Sequence, residues 1–170
     1  MEKSSRTRLL DAALDVLGRE GAGGLTVRAV EDAAALPHGS IRHHFADRTG
    51  LVRALFDHLA DRESPVARGD GGSPTAAVAA ALRHWLGPGR TVTLARYELF
   101  LMAARDPALR PPLIAARERF VALAARRVGV QSAPAVVAAL DGLVLDALVR
   151  GEHDPAALAA AVARITAPPR

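Results

Sequence analysis

A chain of 170 residues that is 50% hydrophobic but only 4% aromatic has material for one sizeable core or two small ones, built mainly from Ala, Leu and Val. It holds no cysteine, which excludes disulfides and thiolate metal sites, and no apolar run approaches the roughly 18 residues that span a bilayer. The net charge of +4 conceals an even balance over residues 1–62, where nine Lys/Arg meet nine Asp/Glu, so any attraction to nucleic acid must come from local clustering.

Residues 6–20 read as a first amphipathic helix ended by Gly21. Thr26 then caps a short apolar-periodic segment carrying Val27, Val30, Ala33 and Ala34. After a turn of three or four residues, a second short segment presents Ser40, Arg42, His43 and His44. Helix, tight turn and helix ending in polar donors is an arrangement narrow enough to enter the major groove of DNA and read base edges. Between residues 36 and 53, Arg42, Arg48 and Arg53 stand against Asp47 alone, with His38, His43 and His44 beside them. That clustering supplies the local field that net charge does not.

Asp47 caps a fourth helix, residues 48–62, and the stretch SPVARGDGGSP over 64–74 has no apolar period and reads as a flexible loop. The domain boundary is therefore expected at its start, giving residues 1–62 and 63–170. Later helix starts follow a cap and an early proline at Ser73-Pro74, Asp106-Pro107, Ser132 with Pro134, and Asp154-Pro155. Helices are expected near 74–86, 91–105, 107–128, 133–149 and 155–166. The predicted fold is all-α with nine helices.

The last two helices are apolar on nearly every side, more than a surface helix of a small monomer bears. Ala135, Ala138, Ala139 and Gly142 line one of them, and Leu158, Ala161, Val162 and Ile165 form a stripe on the other. A two-fold homodimer burying both pairs as a four-helix bundle is predicted, the alternative being packing within one chain. In the middle helices, Val78, Leu82 and Trp85, then Leu94, Tyr97 and Leu101, then Leu113, Phe120, Val121 and Ala124 share faces. Arg96, Glu98, Arg117 and Asp141 sit among them as charges in apolar company, which requires pairing or a ligand. A mostly apolar pocket with a few orienting polar groups is one reading; ion pairs joining Glu98 to Arg96 or Arg117 are the other.

The whole block of about 50 residues from the first helix, beginning at residue 6, into the fourth resembles the DNA-binding domain of the tetracycline-repressor (TetR) family of transcriptional regulators. The resemblance rests on Leu10, Ala13, Leu14, Thr26, Val27, Gly39, Ser40, Ile41, His44, Phe45, Arg48 and Leu51 at the family's spacing. Arg42 replaces a usual tyrosine, Ala35 the usual turn glycine, Glu31 a usually small residue and Arg48 a lysine. The resemblance implies a TetR-like architecture, a helix-turn-helix domain followed by a helical ligand-binding and dimerisation domain. It implies that Thr26, Arg28 and Arg48 hold phosphates, that His38, Gly39, Ser40, Arg42 and His43 face the groove, and that His44 positions the helix or touches phosphate. Phe45 is expected in the core. It further implies a homodimer on a near-palindromic duplex operator, with a small-molecule effector displacing helix four. The effector set is expected from Phe56, Trp85, Arg96, Tyr97, Glu98, Phe100, Leu101, Arg117, Phe120 and Asp141.

An enzyme is not expected, nor any cofactor. His43 and His44 are adjacent and diverge by about 100° on a helix, so they share no metal without a third ligand, and Asp47 reads as a cap. The charged first helix is unlike a secretory signal, and a cytoplasmic protein with no membrane partner is expected. The competing classes are a helical adaptor binding only protein and a small all-α enzyme.

Overall fold

The computed structural model describes residues 3–68, 74–151 and 154–166. Among these residues it is all-α, with nine α-helices, one single-turn 3-10 helix and no strand. Contacts sort the chain into two compact units: residues 1–61 with 91–116, and residues 62–90 with 117–170.

In the first unit, α1 (Ser5–Gly24) begins at Ser4, whose hydroxyl accepts from the Thr7 amide at 3.2 Å. Leu9, Leu10, Ala13, Leu14 and Leu17 recur at helical spacing and are all at most 2% exposed. Gly21 breaks the helix as expected, at φ 70°, ψ −174°, but a last turn forms beyond the break. α2 (Val27–Ala33) starts where Thr26 accepts from the Ala29 amide, and α3 (Ser40–Phe45) follows the turn. α4 (Arg48–Arg68) opens with the Asp47 carboxylate accepting from Gly50 at 2.8 Å. It continues through Ser64 and Pro65 to Arg68, where a loop was expected from residue 64; residues 69–73 lie outside the described residues. A pair between His58 on α4 and Asp11 on α1, 2.8 Å apart, ties the two helices, and Lys3 meets the other Asp11 oxygen at 2.6 Å.

α5 (Pro74–Leu86) belongs to the second unit, whereas α6 (Arg90–Arg105), from Thr91 onward, groups with α1–α3 and with α4 as far as Asp61. A linear cut at residue 62 does not describe this grouping. Its physical reason is Gly18: a Cβ there would collide with the Thr91 carbonyl, so only glycine lets α1 and α6 approach so closely. Glu98 adds a second tie, its carboxylate accepting from the Ala22 amide at 3.3 Å beside the Gly21 break. Ala95, Leu99 and Ala103 form one fully buried face of α6.

Asp106 caps a 3-10 turn (Pro107–Leu109) before α7 (Arg110–Val128), where a single helix from 107 was expected. Pro111 and Pro112 favour a first helical turn, where their missing N–H groups cost nothing, and so reset the start.

In the second unit, α5 packs on both α8 (Ala133–Arg150) and α9 (Pro155–Thr166), which also pack on each other. The inner face of α8 carries Ala133, Val136, Val144, Ala147 and Leu148. Val162 of α9 is fully covered by its own chain. Among the described residues, no single helix is long and apolar enough to cross a membrane.

Candidate nucleic-acid interface

The geometry of α2, the turn and α3 begins with two buried apolar anchors, Ile41 and Phe45, at 1% and 8% exposure. With these sunk, the intervening Arg42 and His43 are turned into solvent, together with His38 and Gly39 of the turn. Ser40 and His44 are half-buried. The Arg6 guanidinium lies 5.2 Å from the Phe45 ring, and the His43 and His44 rings meet edge to face at 4.8 Å. At the next junction a Cβ on Gly50 would collide with the Phe45 carbonyl, so that glycine permits α3 to meet α4.

The turn is held from two sides. Ala35 adopts φ 50°, the left-handed conformation that glycine takes without steric cost, and its amide donates to Asp32. Arg8 of α1 reaches in to donate to the Ala34 and Ala35 carbonyls at 2.7 and 3.1 Å, a cation at the C-terminal end of α2. From the other side comes Glu31, only 2% exposed. Its Oε1 accepts from the Gly39 and Ile41 amides at 3.0 and 2.9 Å, and its Oε2 lies 3.3 Å from His38 Nδ1. These amides are the open donors at the start of α3, where Gly39 offers no capping side chain. The Ile41 amide, helped by His38 and Gly39, holds the Glu31 carboxyl below the usual carboxylate range against the opposing effect of burial.

Glu31 is the residue that reading by pattern undervalued, as a large side chain at a usually small position. The available signal was the cap that is missing: Pro37 and Gly39 supply no side-chain acceptor for the first amides of α3, and Glu31 is, with Asp32, the nearest preceding acid.

The other predicted contacts are placed as follows. Thr26 is exposed and serves as the cap of α2; Arg28 is exposed, with its Nε 3.7 Å from Asp32. Arg48 is also exposed, but its guanidinium donates to the Leu25 and Ala22 carbonyls at 2.8 and 3.2 Å. It therefore ties α4 to the end of α1, a role its expected phosphate contact did not anticipate.

The effector candidates divide between the units. Phe56, Arg96, Tyr97, Glu98, Phe100 and Leu101 lie in the first, and Trp85, Arg117, Phe120 and Asp141 in the second. Phe56, Arg96 and Trp85 are buried, whereas Leu101 is 50% exposed. Arg96 stacks over Tyr97 at 5.2 Å, and Tyr97 meets Phe100 edge to face. Glu98 receives the Ala22 amide, while Arg117 donates to Asp141 at 2.6 Å. No group of three His, Asp or Glu suited to a metal occurs among the described residues.

The dimer candidates also separate. Ala135, Ala138 and Gly142 are exposed on α8, and Ala139 is half-buried. On the α9 stripe Val162 is fully buried within the chain, and Leu158 and Ile165 are half-buried. α9 packs on α5 and α8. Continuing the α8 spacing by alternate steps of three and four reaches Leu145 and Val149, 46% and 78% exposed, which sequence reasoning missed although that period pointed to them.

This geometry defines a helix-turn-helix DNA-binding module on an all-helical chain. The profile described as bacterial regulatory proteins, tetR family, matches residues 9–55, and that described as tetracyclin repressor-like, C-terminal domain, matches residues 70–168. The structure is similar to a TetR-family member from Streptomyces coelicolor A3, at 33% identity and a TM-score of 0.80 over 96% of this chain and 98% of that one. It is also similar to the multidrug binding protein EbrR complexed with ethidium, at 33% identity and a TM-score of 0.78 over 95% and 98%. In sequence it is 32% identical to the transcriptional regulator BetI of Paraburkholderia xenovorans over 48% of this chain and 45% of that protein. The chain thus spans less than half the length of the curated relatives it matches. The chain belongs to the TetR family of transcriptional regulators.

Proposed function

We propose that this regulator is a homodimeric repressor that binds a near-palindromic operator and leaves it when a small, partly apolar ligand binds. The observation that carries the reading is α3, whose Arg42 and His43 are held in solvent by two buried neighbours. Arg42 suits a phosphate or a guanine edge bidentately. Ser40, Gly39 and His38 join it as groove contacts, with Thr26 and Arg28 at the start of α2 as phosphate contacts and Arg48 as the anchor that sets α4.

One short helix makes few base contacts, and two related by a dyad read half-sites about one turn, roughly 34 Å, apart. The outer face of α8, from Ala135 through Gly142 to Val149, supplies the apolar surface for that dyad. EbrR is a multidrug binding protein seen with ethidium, which supports a ligand for this chain as well. Ligand binding shifts α4 and changes the separation of the two α3 helices, with a coupling of about 1–3 kcal/mol. The protein works in the cytoplasm.

Gel-shift with duplex from beside the protein's own gene tests the reading. A discrete salt-sensitive complex is expected; no complex, alongside capture of a protein partner by α8, supports the adaptor instead.

A further inference from the structure

The buried Glu31 does more than hold a turn together. Its Oε1 fixes the first amides of α3, while its Oε2 faces one nitrogen of His38, a residue whose side chain is 66% exposed. An ionised carboxylate only accepts hydrogen bonds, so the hydrogen shared between them sits on His38 Nδ1. The ring is thereby pinned in orientation, and its other nitrogen, Nε2, is the one left for an outside partner. His38 stands one residue before the αL Gly39 that precedes α3, and like Arg42 and His43 it is exposed.

We propose that Glu31 is a positioning residue for sequence recognition: it sets the plane and tautomer of His38 and the register of α3, and through them the base preference at one position of each half-site. Glu31 touches no DNA itself. In the neutral ring, Nε2 is an acceptor, suited to the exocyclic amino group of adenine or cytosine in the major groove. Glu31→Gln changes the chemistry without changing the length. The amide oxygen still receives the Gly39 and Ile41 amides, but its NH2 now faces His38 Nδ1 as a donor. The imidazole hydrogen moves to Nε2, which then suits guanine or the thymine carbonyl.

This inference rests on the operator-reading function, and one experiment separates the two. The full chain selects duplexes from a random pool, and the wild-type, Glu31→Gln and His38→Ala proteins are compared by base frequency at every enriched position. Wild type is expected to enrich an inverted repeat. Glu31→Gln is expected to shift preference about tenfold at one position per half-site, the same position that His38→Ala flattens, with the other positions unchanged. A Glu31→Gln preference identical to wild type, or a uniform loss at all positions, overturns the proposal and leaves Glu31 a structural residue. Because His38 is exposed, His38→Ala keeps the test decisive if Glu31→Gln fails to fold: a flat effect across positions then overturns it. Failure of wild type to enrich any sequence rejects operator reading itself.

Discussion

α3 and α8 both leave side chains uncovered, but with opposite chemistry. α3 buries Ile41 and Phe45 and exposes Arg42 and His43; α8 buries Val136, Val144 and Leu148 and still exposes Leu145 and Val149. Exposed cationic and hydrogen-bonding groups on a rigid frame suit a polyanion, because their charges stay solvated until phosphates replace water. Exposed apolar groups in a regular helical stripe gain only from an apolar partner. One chain therefore carries two separable surfaces, and changes can be aimed at either.

The largest effect should come from the apolar side. Leu145→Glu places a charge in the proposed dyad, and sedimentation is expected to show monomers; operator affinity then falls roughly 100-fold or more through loss of bivalency, while α3 is untouched. A dimer that persists would remove α8 from the interface. Next, Gly50→Ala attacks the frame under α3, forcing a collision with the Phe45 carbonyl, and thermal or urea unfolding should register about 1–3 kcal/mol of lost stability. Arg42→Ala sharpens the contrast from the polar side: operator binding weakens by about 1–3 kcal/mol with dimerisation and melting unchanged. The smallest change is a gain. Ala35→Gly relieves the left-handed backbone at φ 50°, and stability is expected to rise by at most about 1 kcal/mol in the same unfolding assay.

Much of this was legible in the residues because helix ends are written locally. Thr26, Asp47, Asp106 and the early prolines mark starts by satisfying or dispensing with amides, which needs no knowledge of distant contacts. The exposure of Arg42 between two apolar neighbours follows from the helical period in the same way. What sequence reasoning lost depended on which side of a helix finds a partner. The α9 stripe was apolar enough for either an interface or a core; within one chain Val162 is fully buried while Leu158 and Ile165 are half-buried. Loop composition misled over residues 64–68, where α4 runs on through Ser64 and Pro65 to Arg68. Glu31 and Glu98 were legible as misplaced charges, but their partners are backbone amides of other segments, and amides leave no mark in a side-chain pattern.

The central claim is that two copies of α3, joined through α8, read successive grooves on one face of a duplex. Hydroxyl-radical footprinting of the purified chain on DNA flanking its own gene tests this most directly. Two symmetric protected patches about one helical turn apart, absent with Arg42→Ala, are expected. A single patch, or protection that ignores sequence and survives loss of Arg42, would contradict the account.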